Sequence, residues 1–108
     1  MAKEKIDELA RMREQNPGHQ EYEIPDQGSF IFRRPPRAAF NRFASEVADD
    51  KKDKITAMHK FVRACLVYPS APEFEALLDA YPAFLIDIAT DLQAVAGGEI
   101  PGLVKKGG

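Results

Sequence analysis

A single cysteine, Cys65, is all the thiol chemistry in this chain. One cysteine excludes an internal disulfide and a cysteine-rich metal site, so stability must come from packing. Tryptophan is absent and histidine occurs only as His19 and His59, neither at a fixed helical offset from a second ligand. No metal is expected. Long apolar runs are missing as well: the apolar stretches last a few residues each, against roughly 20 for a bilayer crossing. No membrane span is expected. The opening residues Met1-Ala2-Lys3-Glu4-Lys5-Ile6-Asp7-Glu8 alternate in charge and lack the apolar centre of a secretion signal, which predicts a cytoplasmic protein. Neither G-x-x-x-x-G-K-[ST] nor G-x-G-x-x-G occurs, and Gly97-Gly98 follows a helical pattern instead of opening one. No phosphate cradle and no cofactor are expected.

What is present is enough for one small folded domain. The 108 residues are 44% hydrophobic and 30% charged, with a mean hydropathy of -0.36, a balance that excludes a disordered or fibrous chain. The net charge of -2 conceals an uneven distribution, with -1 over residues 1–35, +3 over 36–70 and -4 over 71–108. A polarised chain of this kind favours self-association or a charged protein partner, and the acidic balance disfavours nucleic acid.

Periodicity divides the chain. Ile6, Leu9 and Ala10 have helical spacing within residues 3–14, but the stripe is thin and Asn16-Pro17-Gly18 ends it. Residues 1–19 are read as a mobile helical arm. From Glu21 the period becomes two: Tyr22 and Ile24, then Phe30 and Phe32, alternate with other residues on either side of Pro25-Asp26-Gln27-Gly28. Proline, aspartate and a glycine that permits positive φ predict a β-hairpin. Two strands alone are marginal in water, so the Phe30/Phe32 face must rest on helices or on another copy of the chain. Arg33-Arg34-Pro35-Pro36 stops the ladder.

The remainder reads as helices. Phe40, Phe43, Ala44 and Val47 form one stripe. Ile55, Met58, Val62, Cys65 and Leu66, with Phe61 alongside, form a second, which runs until Tyr68-Pro69. Ser70-Ala71-Pro72-Glu73 has the form of a capping box opening a third helix, whose stripe is Phe74, Leu77, Leu78 and Tyr81. Pro82 interrupts, and Leu85, Ile88, Ala89, Leu92 and Val95 form the last stripe before Gly97-Gly98. The predicted fold is mainly α: a compact bundle of four to five short helices with one β-hairpin near the N-terminus. Residues 20–98 are taken as a single helical domain and 99–108 as a flexible tail.

Catalytic chemistry finds little support. Cys65 lies on an apolar stripe, where cysteine acts as a small hydrophobe. Asp87 and Asp91 share a helix face at i, i+4, but solvated carboxylates on an exposed face are the plainer reading. Not an enzyme is therefore the expectation. Seven phenylalanines and three tyrosines exceed what a minimal bundle needs, so part of the aromatic set could form a groove for a partner helix. The candidate partner-binding residues are Phe30, Phe32, Arg33, Arg34, Arg37, Phe40, Phe43, Phe74 and Tyr81. The arginines, with Arg42, are the one basic concentration.

The succession Phe32-Arg33-Arg34-Pro35, Phe40-x-x-Phe43, Cys65-Leu66-x-Tyr68-Pro69, Tyr81-Pro82 and Gly97-Gly98, over residues 20–98, resembles the tail assembly chaperones of long-tailed bacteriophages. That resemblance implies a protein of the host cell cytoplasm, absent from the finished virion. It would keep the long tape measure protein soluble, hand it to polymerising tail tube protein, and act in many self-associating copies. It supplies no catalytic residues. A holdase with no nucleotide site would release its client by competition, without ATPase activity. The family also commonly makes a longer form by ribosomal frameshifting, for which Lys105-Lys106 is a candidate position. The alternatives are a small nucleic-acid-associated or regulatory helical domain using the arginines, or a head-tail connector subunit.

Overall fold

The structure, a computed structural model, describes residues 2–98, with side chains from Asp7 to Gly97. The segment expected as a flexible tail, 99–108, and the Lys105-Lys106 pair lie outside the described residues. The elements in chain order are α1 (Ala2–Gln15), β1 (Gln20–Ile24), β2 (Gly28–Phe32), α2 (Arg37–Ala48), α3 (Lys54–Cys65), β3 (Leu66–Tyr68), α4 (Ala71–Ala80) and α5 (Phe84–Gln93). A widened helical turn, Ala94–Gly98, follows α5 and ends where Gly97 takes φ +136°. The fold is mainly α, five helices around a small antiparallel sheet.

The hairpin forms where the period-two pattern put it, pairing Gln20 with Phe32 through Ile24 with Gly28. Two residues of its turn, Asp26 (φ +67°) and Gly28 (φ +95°), carry positive φ. The expectation gave this role to the glycine. Aspartate shares it because its short polar side chain tolerates the left-handed region better than most.

The sheet has a third strand that the helical pattern concealed. Helix α3 was expected to continue through Leu66 towards Tyr68-Pro69. It stops at Cys65, and Leu66–Tyr68 instead pairs antiparallel with β2, giving the order β1-β2-β3. Leu-Val-Tyr suits a pleated surface, and the free edge of β2 supplies backbone partners that a last helical turn would lack. The Arg33 N–H donates to the Cys65 carbonyl at 2.7 Å, and the Arg33 guanidinium donates to the Ala64 carbonyl at 2.9 and 3.1 Å. These bonds satisfy two of the carbonyls left open at the C-terminal end of α3.

Alternation along β2 fixes the layers. Phe30 and Phe32 enter the main core with Phe43, Phe61, Val62, Cys65, Phe74, Leu77, Ile88 and Leu92. Ile31 is 0% exposed yet outside that cluster, because it points to the opposite face. On that side α1 contacts β3, and Arg13 forks onto Glu21 of β1 at 2.7 and 2.6 Å. Residues 1–19, read from sequence as an arm, therefore contribute a helix with a charged tie to the sheet.

Local capping explains the helix starts. Asp53 accepts from the Ile55 and Thr56 amides at 3.3 Å and from the Thr56 hydroxyl at 2.7 Å, and these bonds hold its carboxyl below the usual range. Ser70 accepts from the Glu73 amide at 3.4 Å and opens α4 as the capping pattern predicted. Some stripe assignments differ. Ile55, in the first turn of α3, is 50% exposed and Ala57 occupies the buried position. Ala44 faces solvent, whereas the α5 stripe of Leu85, Ile88, Ala89 and Leu92 is buried as expected.

Candidate partner-binding surfaces

The aromatic residues divide into two groups, and the division decides which can meet a partner. Phe74 of α4 sits over the sheet with its ring 5.6 Å from Phe32 and 6.5 Å from Phe30. Tyr22 continues this group, edge-on to Phe32 at 5.8 Å and to Phe84 at 5.3 Å. Its hydroxyl donates to Asp91 at 2.6 Å, which ties β1 to α5. Burial first, and then the Asp91 carboxylate, push the Tyr22 phenol up from its ordinary value. The second group lies between α2 and α3, where Phe43 stacks on Phe61 at 4.5 Å and Phe40 meets Phe61 edge-on at 6.3 Å.

Four of the candidate residues are consequently core. Phe30, Phe32 and Phe74 are fully buried and Phe43 nearly so. A partner cannot touch Phe30, Phe32 or Phe74 without opening the domain, so the expectation of binding roles is corrected for these three, while Phe43 keeps only an edge at the recess beside Phe40. The large aromatic count is used in joining a three-stranded sheet to α4 and α5, which an estimate based on a helical bundle did not allow for. Arg33 is also committed, through its bonds to Ala64. Arg34 and Arg37 are exposed.

Two candidates remain at open apolar surfaces. Phe40, half-buried, borders a recess of about 360 Å³ beside α2 and α3, lined by Phe43, Ala44, Val47, Ala48 and Met58 together with Lys54 and Gln93. Lys54 donates to the Val47 carbonyl at 3.2 Å, so even its ammonium is drawn to the helix end. Tyr81, 57% exposed, borders a second cleft of about 480 Å³ with Ile24, Pro25, Asp26, Leu77, Phe84 and Asp87. Periodicity placed Tyr81 in the α4 stripe. It is the residue after the helix, with φ -135° and ψ 71°, so its side chain leaves the stripe.

Sequence reasoning missed most of the second cleft, because its walls come from the hairpin turn, the end of α4 and the start of α5. One signal was available: no lysine, arginine or histidine occurs anywhere between Ala64 and Val104. The charged side chains that α4 and α5 themselves contribute are therefore all acidic.

Several groups able to do chemistry are engaged in contacts within the fold. His59 and Arg63 of α3 both meet Glu75 of α4, at 2.7 and 3.1 Å, and Lys60 lies 3.7 Å from Glu46 of α2. Burial pushes the Cys65 thiol up to about 11. Among the described residues no three His, Cys, Asp or Glu side chains converge as a metal site. No helix among them is long and apolar enough to cross a membrane.

The fold and surfaces define a small α-rich domain with open apolar recesses. Over residues 2–101 the sequence matches the family described as Domain of unknown function (DUF6848), and the chain belongs to that family. No curated protein matches the sequence. The fold is similar to the solved structure of an uncharacterised protein from Bacillus stearothermophilus, with a TM-score of 0.67 and 19% identity, covering 90% of this chain and 99% of that one.

Proposed function

We propose that this protein is a tail assembly chaperone of a long-tailed bacteriophage. It holds the tape measure protein in solution in the host cytoplasm, passes it to polymerising tail tube protein, and stays out of the finished virion. The motif succession from Phe32 to Gly98 supports this reading. The single structural observation that carries it is the recess beside Phe40, an open surface lined almost wholly by apolar side chains after the core has closed. Such a surface fits the apolar face of a client helix, recognised through anchors spaced three or four residues apart. The reading requires binding and release but no bond making, so the protein is not an enzyme and hydrolyses no ATP.

Ala44 provides the test, because it lines the recess and is itself exposed, so a large charged side chain there blocks the surface without disturbing the core. Co-expression of the wild-type chain with the tape measure protein should move the client into the soluble fraction, and Ala44→Arg should not. An insoluble client beside the wild-type chain refutes the proposal, as does full activity of Ala44→Arg. Mass spectrometry of purified particles should find none of this chain, and its presence there would favour a connector subunit.

A further inference from the structure

The Phe40 recess is left open by the described residues, and one of its walls leads directly to the segment that follows them. Gln93 borders the recess from the last turn of α5. The widened turn Ala94–Gly98 then adds five residues, about 8 Å at helical rise. Within it Gly97 takes φ +136°, which stops the helix and lets the chain turn back along it. The residues that follow are Glu99-Ile100-Pro101-Gly102-Leu103-Val104. Three aliphatic side chains around a proline and a glycine suit an extended segment with an apolar side better than another helix.

Reach, lining and tethering together choose the occupant of the recess. An extended chain covers at most about 3.5 Å per residue, so from Gly98 Ile100 reaches about 7 Å and Leu103 about 18 Å. Ile100 thus returns roughly to the level of Gln93, and Leu103 passes it. The Tyr81 cleft lies at Phe84, the opposite end of α5, and has Asp26 and Asp87 among its walls. The recess is nearer and is walled by Ala44, Val47 and Met58. A cavity of about 150 Å³ takes a benzene-sized apolar group, so about 360 Å³ has room for two aliphatic side chains. A tether this short holds the segment at an effective concentration of about millimolar, about a thousandfold above a second copy in a micromolar solution. The segment of the same molecule therefore prevails over a neighbour's.

We infer that residues 100–104 fold back over the Phe40 recess of their own molecule, with Ile100 and Leu103 against Val47, Met58 and the edge of Phe40. This strap closes the surface while no partner is bound. A client helix has to displace it, so the apparent affinity for a client is reduced by the fraction of molecules whose recess is bare. That competition rests on the chaperone reading, whereas the docking of the strap does not.

The absence of tryptophan makes a direct test available in the full-length chain. In Leu103→Trp the single indole should emit at the short wavelengths of an apolar site, equally at every protein concentration. Adding Ala44→Arg should shift the emission to that of an exposed indole, and adding Tyr81→Asp should leave it unchanged. A hydrophobic dye such as ANS should bind the Ile100→Asp/Leu103→Asp variant about tenfold more tightly than the wild type, and Ala44→Arg should abolish the gain. Thermal melts should show that Ala44→Arg and Tyr81→Asp remain folded. The strap is refuted by exposed emission from Trp at position 103, or by short-wavelength emission that survives Ala44→Arg. Loss of that emission with Tyr81→Asp would place the segment in the other cleft, and its growth with concentration would assign it to a second copy. Either result overturns the inference. None of these measurements contains a client, so an undocked strap leaves the chaperone proposal standing, and a client that stays insoluble leaves the strap standing.

Discussion

Truncating Phe74 to alanine should remove a large share of the stability of this domain, whereas truncating Tyr81 should barely alter it, although helical spacing puts both in one stripe. Phe74 is 0% exposed and packs between Phe32 and Phe30. Removing a fully buried ring forfeits about 1.5–3 kcal/mol of burial. Each lost aromatic pair adds about 0.5–1.5 kcal/mol. Core Phe-to-Ala changes cost about 3–5 kcal/mol once the cavity is included, and about 4 kcal/mol is expected here. That is a large share of the roughly 5–15 kcal/mol that holds a typical domain together. With a urea dependence of about 1–3 kcal/mol per molar, the midpoint should fall by about 2 M. Tyr81→Ala, at an exposed position, should shift it by less than about 0.5 kcal/mol. A Phe74→Ala protein within about 1 kcal/mol of the wild type would refute the assignment of Phe74 to the core. Equal losses for the two variants would refute the distinction between core and surface aromatics.

Three further outcomes are expected. Tyr22→Phe removes the hydroxyl that donates to Asp91 at 2.6 Å and should cost about 1–2 kcal/mol in denaturant titration. Because burial and Asp91 raise the folded phenol above its ordinary value of 10.0, its contribution is complete below that pH and is lost as pH rises past it. The Tyr22→Phe stability curve should therefore be flatter above pH 10.0, and an unchanged alkaline slope would count against the bond. Glu21 behaves in the opposite sense: the hydrogen bond from Arg13 is the main cause holding its folded carboxyl below 4.5. Its stabilisation is present above that value and is lost as pH falls through the folded one, so Glu21→Gln should be less stable at neutral pH and indistinguishable in acid. Cys65, buried with its thiol pushed up to about 11, should resist a thiol reagent at mildly alkaline pH until denaturant opens the core. Rapid labelling of the native protein would contradict the burial.

The sequence alone was enough for features that depend on near neighbours in the chain. The period-two run with Pro25 and Gly28 determined the hairpin, Ser70 with Glu73 the start of α4, and the Leu85–Leu92 stripe the buried face of α5, because each depends on residues within about a turn of one another. The single cysteine and short apolar runs likewise set what chemistry and location were worth considering. Tertiary structure decided whatever required elements distant in sequence to meet. Leu66–Tyr68 became a strand because the edge of β2, more than thirty residues earlier, offered hydrogen bonds to it. Phe30, Phe32, Phe43 and Phe74 became core because the resulting sheet gave them a surface to cover, while Tyr81, just past the end of its helix, swung out to border a cleft. The composition of a stripe shows that a face is apolar, but only the packed chain determines whether another part of the molecule covers it.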